Sequence, residues 1–417
     1  MCKCLAGSII DGGGRTSWPR TPMGEAYVRC ATGFGGRLAL TALVLTVVGM
    51  SAACGRTADP ASPATPTHNS HSQFVPPSAA PLRAGERFVT LTMPQPYAPA
   101  APNGGTDEYR CFLVDPQLSA KMYLTGSQFL PQNVDIVHHA IFFRIAPEDV
   151  SKARAADTRT NGEGWQCFGD AGIDGDAAWV AHWAPGANEV LLGNGLGYEM
   201  PPGSQLVMQV HYNLLATNGQ AGSTDQSSIR LRVADGSAPM TPLGTFLVPA
   251  PVELPCTAQE SGPLCDRTKA IEDVGRRFGD EIGAMAGELI RRCGNGQPVP
   301  GPTQHCDLPM DGSATVYAVA GHMHLLGRSI KVELNPGTPG AKTLLDIPQY
   351  NFDDQAIRPL DSPVKIQNGD MIRVTCTHDA GLRTLLPQLQ QLPPRYVVWG
   401  DGTSDEMCLG LLIGTQS

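Results

Sequence analysis

Charge is scarce in this chain. Only 17% of its 417 residues are Asp, Glu, Lys or Arg, and acidic residues outnumber basic ones by 39 to 30. A net charge of −9 offers no basic stripe for a phosphate backbone, so no nucleic-acid partner is expected. Long apolar runs are equally scarce. The one that stands out, Leu38 to Met50 (LALTALVLTVVGM), falls short of the roughly 20 residues that span a bilayer. There is no HExxH, and no late cysteine forms a CxxC pair, which removes the common zinc-peptidase and zinc-ribbon patterns. Histidine is rare as well, at ten residues, so its clustering carries information.

What is abundant is glycine (47) and proline (36), with 41% hydrophobic residues. That mixture suits a turn-rich β protein. Arg29 and Arg37 precede the apolar run, and Ser51, Ala52, Ala53 and Cys54 follow it. These are export-signal flanks. The small-small-Cys ending resembles a bacterial lipoprotein cleavage site with Cys54 as the acylated residue. Residues 1–54 are therefore read as a targeting segment. Residues 55–84 are read as a disordered Pro/Ser/Ala spacer in which His68 and His71 are solvated. The expected location is extracytoplasmic, either lipid-anchored to the cell membrane or secreted. Beyond the targeting segment lie Cys111, Cys167, Cys256, Cys265, Cys293, Cys306, Cys376 and Cys408. An even set without metal-site spacing implies disulfides made in an oxidising compartment.

From Arg87 onward, short alternating or apolar segments recur between turn signals: RFVTLTM, AIFFRI, SQLVMQVHYNL, SIRLRV, ATVYAVA, SIKVEL, VKIQNGDMIRVTC and RYVVWG. All read as strands. Helical spacing is confined to Thr268–Arg292, where Ile271, Val274, Phe278, Ile282, Met285 and Leu289 recur. This predicts a helical insertion over 265–293. Prolines cluster between Met240 and Pro255 and suggest a boundary. The expectation is an all-β protein of two antiparallel β-sandwich domains, 85–245 and 246–417, with the helical insertion in the second.

Two pairs of histidines stand out. In GHMHLLG, His322 and His324 are two apart, and on a strand they project from one face. Continuing that face backwards gives Ala320, Ala318, Val316 and Ala314, which leave open space. In VDIVHHAIFF, strict alternation sends His138 and His139 to opposite faces, an objection that a bulge removes. In LVMQVHYN, Val207, Gln209 and His211 share a face. Met407, in GTSDEMCLG, is by itself core filler. His182 and Trp183 read as a packed loop, His305 as solvated, and His378 as a residue beyond a strand end.

Taken in order, HH, QVHY, HxHxLG and DEMC resemble the copper type II, ascorbate-dependent monooxygenases, the family of peptidylglycine α-hydroxylating monooxygenase and dopamine β-monooxygenase. The resemblance covers residues from about 85 onward. It implies two copper ions and two jelly-roll-like sandwiches. His138, His139 and His211 would hold an electron-transfer copper. His322, His324 and Met407 would form the catalytic, oxygen-binding copper site. Gln209 matches a glutamine beside the first copper. Ascorbate would be the reductant, and O2 and a small organic molecule the substrates. Disulfides Cys111–Cys167 and Cys376–Cys408 also follow from it, whereas the pairing of the other four cysteines stays open. The ligand types suit these roles: imidazoles serve both copper oxidation states, and a thioether favours Cu(I).

One departure bears on substrate. Where the peptide-hydroxylating member clamps a carboxylate with Arg, Asn and Tyr, this chain has Ala320, Leu409 and Leu411. No guanidinium fork remains. A neutral or apolar substrate is expected, in a monomeric enzyme. The competing class is an exported copper-binding or copper-handling protein on the same fold. A blue-copper carrier would need a cysteine ligand, and a zinc hydrolase would not use methionine.

Overall fold

Alternating and apolar segments pair into several antiparallel sheets, described here from a computed structural model of residues 77–160, 163–237 and 239–416. The targeting segment with Cys54, and His68 and His71, lie outside the described residues. In the first half, one sheet orders its strands Glu86–Thr92, Ser228–Asp235, Met122–Leu130, Leu196–Met200 and Thr241–Pro242, with Val190–Leu191 also on Met122–Leu130. Its last pairing is parallel. A second sheet orders Trp165–Gln166, Asp107–Val114, Gln205–Asn213, Val137–Ile145 and Ala177–Trp183. In the second half, Gly244–Pro249, Leu409–Gln416, Ala314–His322 and Arg358–Ile366 form a third sheet. Thr303–Pro309, Met371–His378, Gly327–Leu334 and Lys342–Ile347 form a fourth. A short ladder joins Glu253–Leu254 to Val397–Val398.

Side chains from paired sheets fill the cores. Leu91, Leu124 and Leu231 meet Phe112, Phe142 and Met208 in the first half. Val248, Val316 and Leu412 meet Val332, Ile372 and Val374 in the second. The first core also takes in Ala318 and Ile413, so packing runs on from one half to the other.

Several sequence expectations are corrected here. Helical spacing over 268–292 yields two helices, Arg267–Phe278 and Asp280–Cys293, because Gly279 breaks the run at φ 98°. The first is capped by the Asp266 carboxylate, which accepts from the Lys269 N–H at 3.0 Å. A Cβ on Gly283 would lie 2.9 Å from the Gly275 Cα, so the helices cross at backbone contact. A further helix, Val150–Thr158, has no strong periodicity and was not expected. His182 and Trp183 end a strand instead of occupying a loop. His305 lies on a strand rather than in a loop, and is exposed as expected. RYVVWG contributes only Val397–Val398. Tyr317 is an extra residue in its strand, because pairing shifts between Val316 and Ala318. The face behind the HxH therefore ends at Ala318. Val316 and Ala314 turn to the opposite core, where they pack with Val319.

Among the described residues four disulfides are present: Cys111–Cys167, Cys256–Cys265, Cys293–Cys306 and Cys376–Cys408. This is the cysteine usage of an extracytoplasmic protein. Among the described residues no helix is long and apolar enough to cross a membrane.

Candidate metal centre

The adjacent histidines are brought together by a bulge. Val137 pairs with Tyr212, but His139 pairs with His211, leaving His138 as one extra residue in its strand. The alternation is interrupted there, and both imidazoles join His211. Ligand nitrogens of His138, His139 and His211 lie within 4.8 Å of one another, and all three side chains are buried.

The surroundings orient these rings. His211 Nε2 is 2.9 Å from Asp107 Oδ1. That carboxylate also accepts from the Thr403 N–H at 3.1 Å and the Thr403 hydroxyl at 2.5 Å. Burial pushes Asp107 up, but bonds from His211 and Thr403 outweigh it and hold the group below its usual range. An ionised Asp107 requires a proton on His211 Nε2, so Nδ1 carries the lone pair. That Nδ1 faces His138 Nδ1 at 3.3 Å. Tyr109 stacks on His211 with centroids 4.1 Å apart, and Phe352 stacks on His138 at 4.2 Å. Burial, reinforced by neighbouring His211, keeps His138 and His139 far below ordinary imidazole values. They are neutral, as ligands must be.

His322 ends its strand and His324 follows, with ring centroids 5.0 Å apart. Gln355 donates to the Phe352 carbonyl, so its Oε1 accepts from His322 Nδ1 at 2.5 Å. His324 Nδ1 donates to the Asp405 carbonyl at 3.3 Å. Each ring therefore presents a bare Nε2. His324 Nε2 is buried without a partner, as is His138 Nε2. Desolvation, then His324, holds His322 at about 3. Met407 is buried two residues before Leu409, the residue that pairs with His322.

Buried ring nitrogens left bare at His138 and His324, with the other ring nitrogens of His211, His322 and His324 hydrogen-bonded, are the donor set of a metal that accepts imidazole. The residues present fit copper. The two sets adjoin: the His139 and His322 centroids are 5.8 Å apart.

One loop touches both. Thr403 bonds Asp107, and the Asp401 carbonyl accepts from the Tyr109 hydroxyl at 2.8 Å. The Asp405 carbonyl meets His324, and Glu406 accepts from the His324 and Leu326 N–H groups at 2.9 and 2.6 Å. His378 sits behind this loop, 3.4 Å from the Glu406 carboxylate and 3.5 Å from the Met407 carbonyl. Sequence reading of GTSDEMC reached only its methionine. Asp107, Tyr109, Thr403, Glu406, Phe352 and Gln355 were missed, since each is recognisable only by what it touches. Gln209 gives its amide N–H to the Asp170 carbonyl at 2.6 Å, rather than to a histidine.

Ala320, Leu409 and Leu411 form one buried apolar cluster with Met407, Leu289 and Trp399, against which Met285, Trp179 and Ile357 pack. The second insertion helix therefore covers this side through Met285 and Leu289.

Solved structures give only loose likenesses. The chain is similar to PNGase F, a glycosylasparaginase from Flavobacterium meningosepticum, at 8% identity and a TM-score of 0.29, over 79% of this chain and 96% of that one. Allantoicase gives 12% identity and a TM-score of 0.19, over 76% and 90%. Neither likeness carries an assignment. Residues 302–413, the stretch that holds His322, His324 and Met407, match the family model of the copper type II ascorbate-dependent monooxygenase, C-terminal domain.

Proposed function

We propose that this protein is a copper-dependent monooxygenase. It hydroxylates a C–H bond of a small, neutral organic molecule with O2 and a one-electron reductant such as ascorbate. The convergence of neutral His138, His139 and His211 beside His322 and His324, with the latter pair in the family-matched stretch, carries this reading. His138, His139 and His211 hold the electron-transfer copper. His322, His324 and Met407 hold the oxygen-binding copper. When bound, copper supplies one-electron transfer and activation of dioxygen.

The chain's own residues supply position and dryness. Asp107 fixes the proton of His211, Gln355 that of His322, and the Asp405 carbonyl that of His324. The cluster of Ala320, Leu409, Leu411 and Leu289 excludes water beside Met407 and offers no counter-charge to a carboxylate. Two sandwich domains, 85–245 and 246–417, are supported by the segregation of main sheets at Leu243. We place the protein outside the cytoplasm as a monomer, with Cys54 as a lipid anchor.

The test is copper content of the full chain beside His139→Ala and His322→Ala, with ascorbate-dependent oxygen uptake measured on each. Two coppers in the parent, one in each variant and uptake by the parent alone are expected. Copper held without any uptake would make this a copper-handling protein, and a copper-free parent would end the reading altogether.

A further inference from the structure

The strand Ala177–Trp183 lies at the edge of its sheet, beside Val137–Ile145. Its pairing slips by one residue: Ala181 faces Phe142, but Trp179 faces Phe143, so Val180 is an extra residue. Positions 179 and 182 would alternate to opposite faces of a regular strand. The bulge brings both to the face that carries Ile141 and Phe143, and their rings meet at 5.9 Å.

Both residues border a cleft between the halves, with Tyr198, Thr245, Ile357 and Ile413 among its other walls. Trp179 and Ile357 also pack against the Met407 cluster, so two walls of the cleft adjoin that cluster. Among the described residues no Lys, Arg, Asp or Glu lines it. The indole N–H of Trp179 is buried and has no acceptor. A buried donor left unpaired carries a desolvation penalty, and an arriving oxygen atom removes it. His182 makes no hydrogen bond among the described residues, and desolvation holds it at about 4, so it is neutral near pH 7.

Resting on the copper-monooxygenase reading, we propose that Trp179 and His182 determine specificity by binding the single oxygen of an otherwise hydrocarbon, uncharged substrate. Trp179 Nε1 donates to a carbonyl or hydroxyl oxygen, and His182 provides a second donor or acceptor. The apolar body lies along Tyr198, Ile357 and Ile413, which line the same cleft. A carboxylate is rejected because neither residue is cationic and burial penalises an unpaired charge.

Equilibrium dialysis of the full chain against three matched probes tests this: the ketone benzylacetone, the hydrocarbon butylbenzene and the carboxylate hydrocinnamate. The parent is expected to bind the ketone about tenfold more tightly than either of the others. Trp179→Phe should erase the ketone's advantage, so that this variant binds benzylacetone and butylbenzene alike. His182→Leu should reduce the advantage about threefold and serves if the tryptophan variant does not fold. Ketone preference that survives both substitutions overturns the proposal, as does a parent that favours the carboxylate or binds all three alike. Copper content is measured on the same preparations. A copper-free parent that still prefers the ketone through Trp179 would sink the monooxygenase reading alone. A two-copper parent blind to the ketone would sink this one alone.

Discussion

Asp107 is the residue on which the first histidine set turns. Its carboxylate takes the proton-bearing nitrogen of His211 and is itself held by Thr403. Replacing it with Ala frees the ring to rotate and to change tautomer. Outer-sphere partners of this kind are worth roughly 10–100-fold in metal affinity, so Asp107→Ala should weaken copper binding at that set by this factor. Calorimetric titration of the variant checks it, and unchanged affinity would remove Asp107 from the site. The histidines also dictate a pH profile. Burial holds His322 at about 3 and keeps His138 and His139 well below ordinary values. An incoming metal therefore displaces no proton from them between about pH 5 and 8, whereas a free imidazole of pKa ~6.5 would compete. Copper affinity should be flat across that window. A tenfold loss per unit of acidification would show that these rings titrate normally.

Elements show where sequence was legible and where it was not. The strand holding His211 stood out because Leu206, Val207, Met208 and Val210 are concentrated in SQLVMQVHYNL, a segment bounded by turns. By contrast, DEYRCFLV, which becomes the strand Asp107–Val114, begins with two acids that look solvent-facing. They are buried because His211 and Tyr97 receive them, a tertiary fact without local signature. Bulges at Val180 and Tyr317 were equally invisible, since the period of two is broken by the partner strand's register, whereas the one at His138 was legible only as what two adjacent ligands would require. The helical insertion was recognised by its spacing, but its break at Gly279 was not. The tight helix crossing there makes a prediction. Gly283→Ala puts a methyl against the Gly275 backbone, and the helices must separate. A loss of about 1–3 kcal/mol is expected in chemical denaturation. Leu289 and Met285, on the same helix, should move with it and loosen the wall beside Met407. Unchanged stability would mean that the crossing is not as close as described.

At the scale of the molecule, buried titrating groups set opposing pH slopes for the metal-free protein. The depressed histidines bind protons only in the unfolded chain below about pH 6.5, so acid destabilises the fold there. Asp401 acts in the other direction. Burial, then Asp405, raises it to about 7, and its Oδ2 has no partner. The folded state keeps a proton that the unfolded chain has lost above about pH 4, so this group costs stability as pH rises from ~4 to ~7. Asp401→Asn should thus stabilise the protein at pH 8 by on the order of 1–3 kcal/mol, and by nothing near pH 4. Melting curves at the two pH values decide it, and an equal effect at both would exclude the linkage. The loop Asp401–Met407, which secures both histidine sets, has a consequence in time as well as in space. Most of the chain is synthesised between His138 and this loop. For all that interval His138, His139 and His211 lack the Thr403 that holds Asp107, and His322 and His324 lack the Asp405 carbonyl and the Glu406 carboxylate. Both sets gain this support together, when the same short stretch arrives.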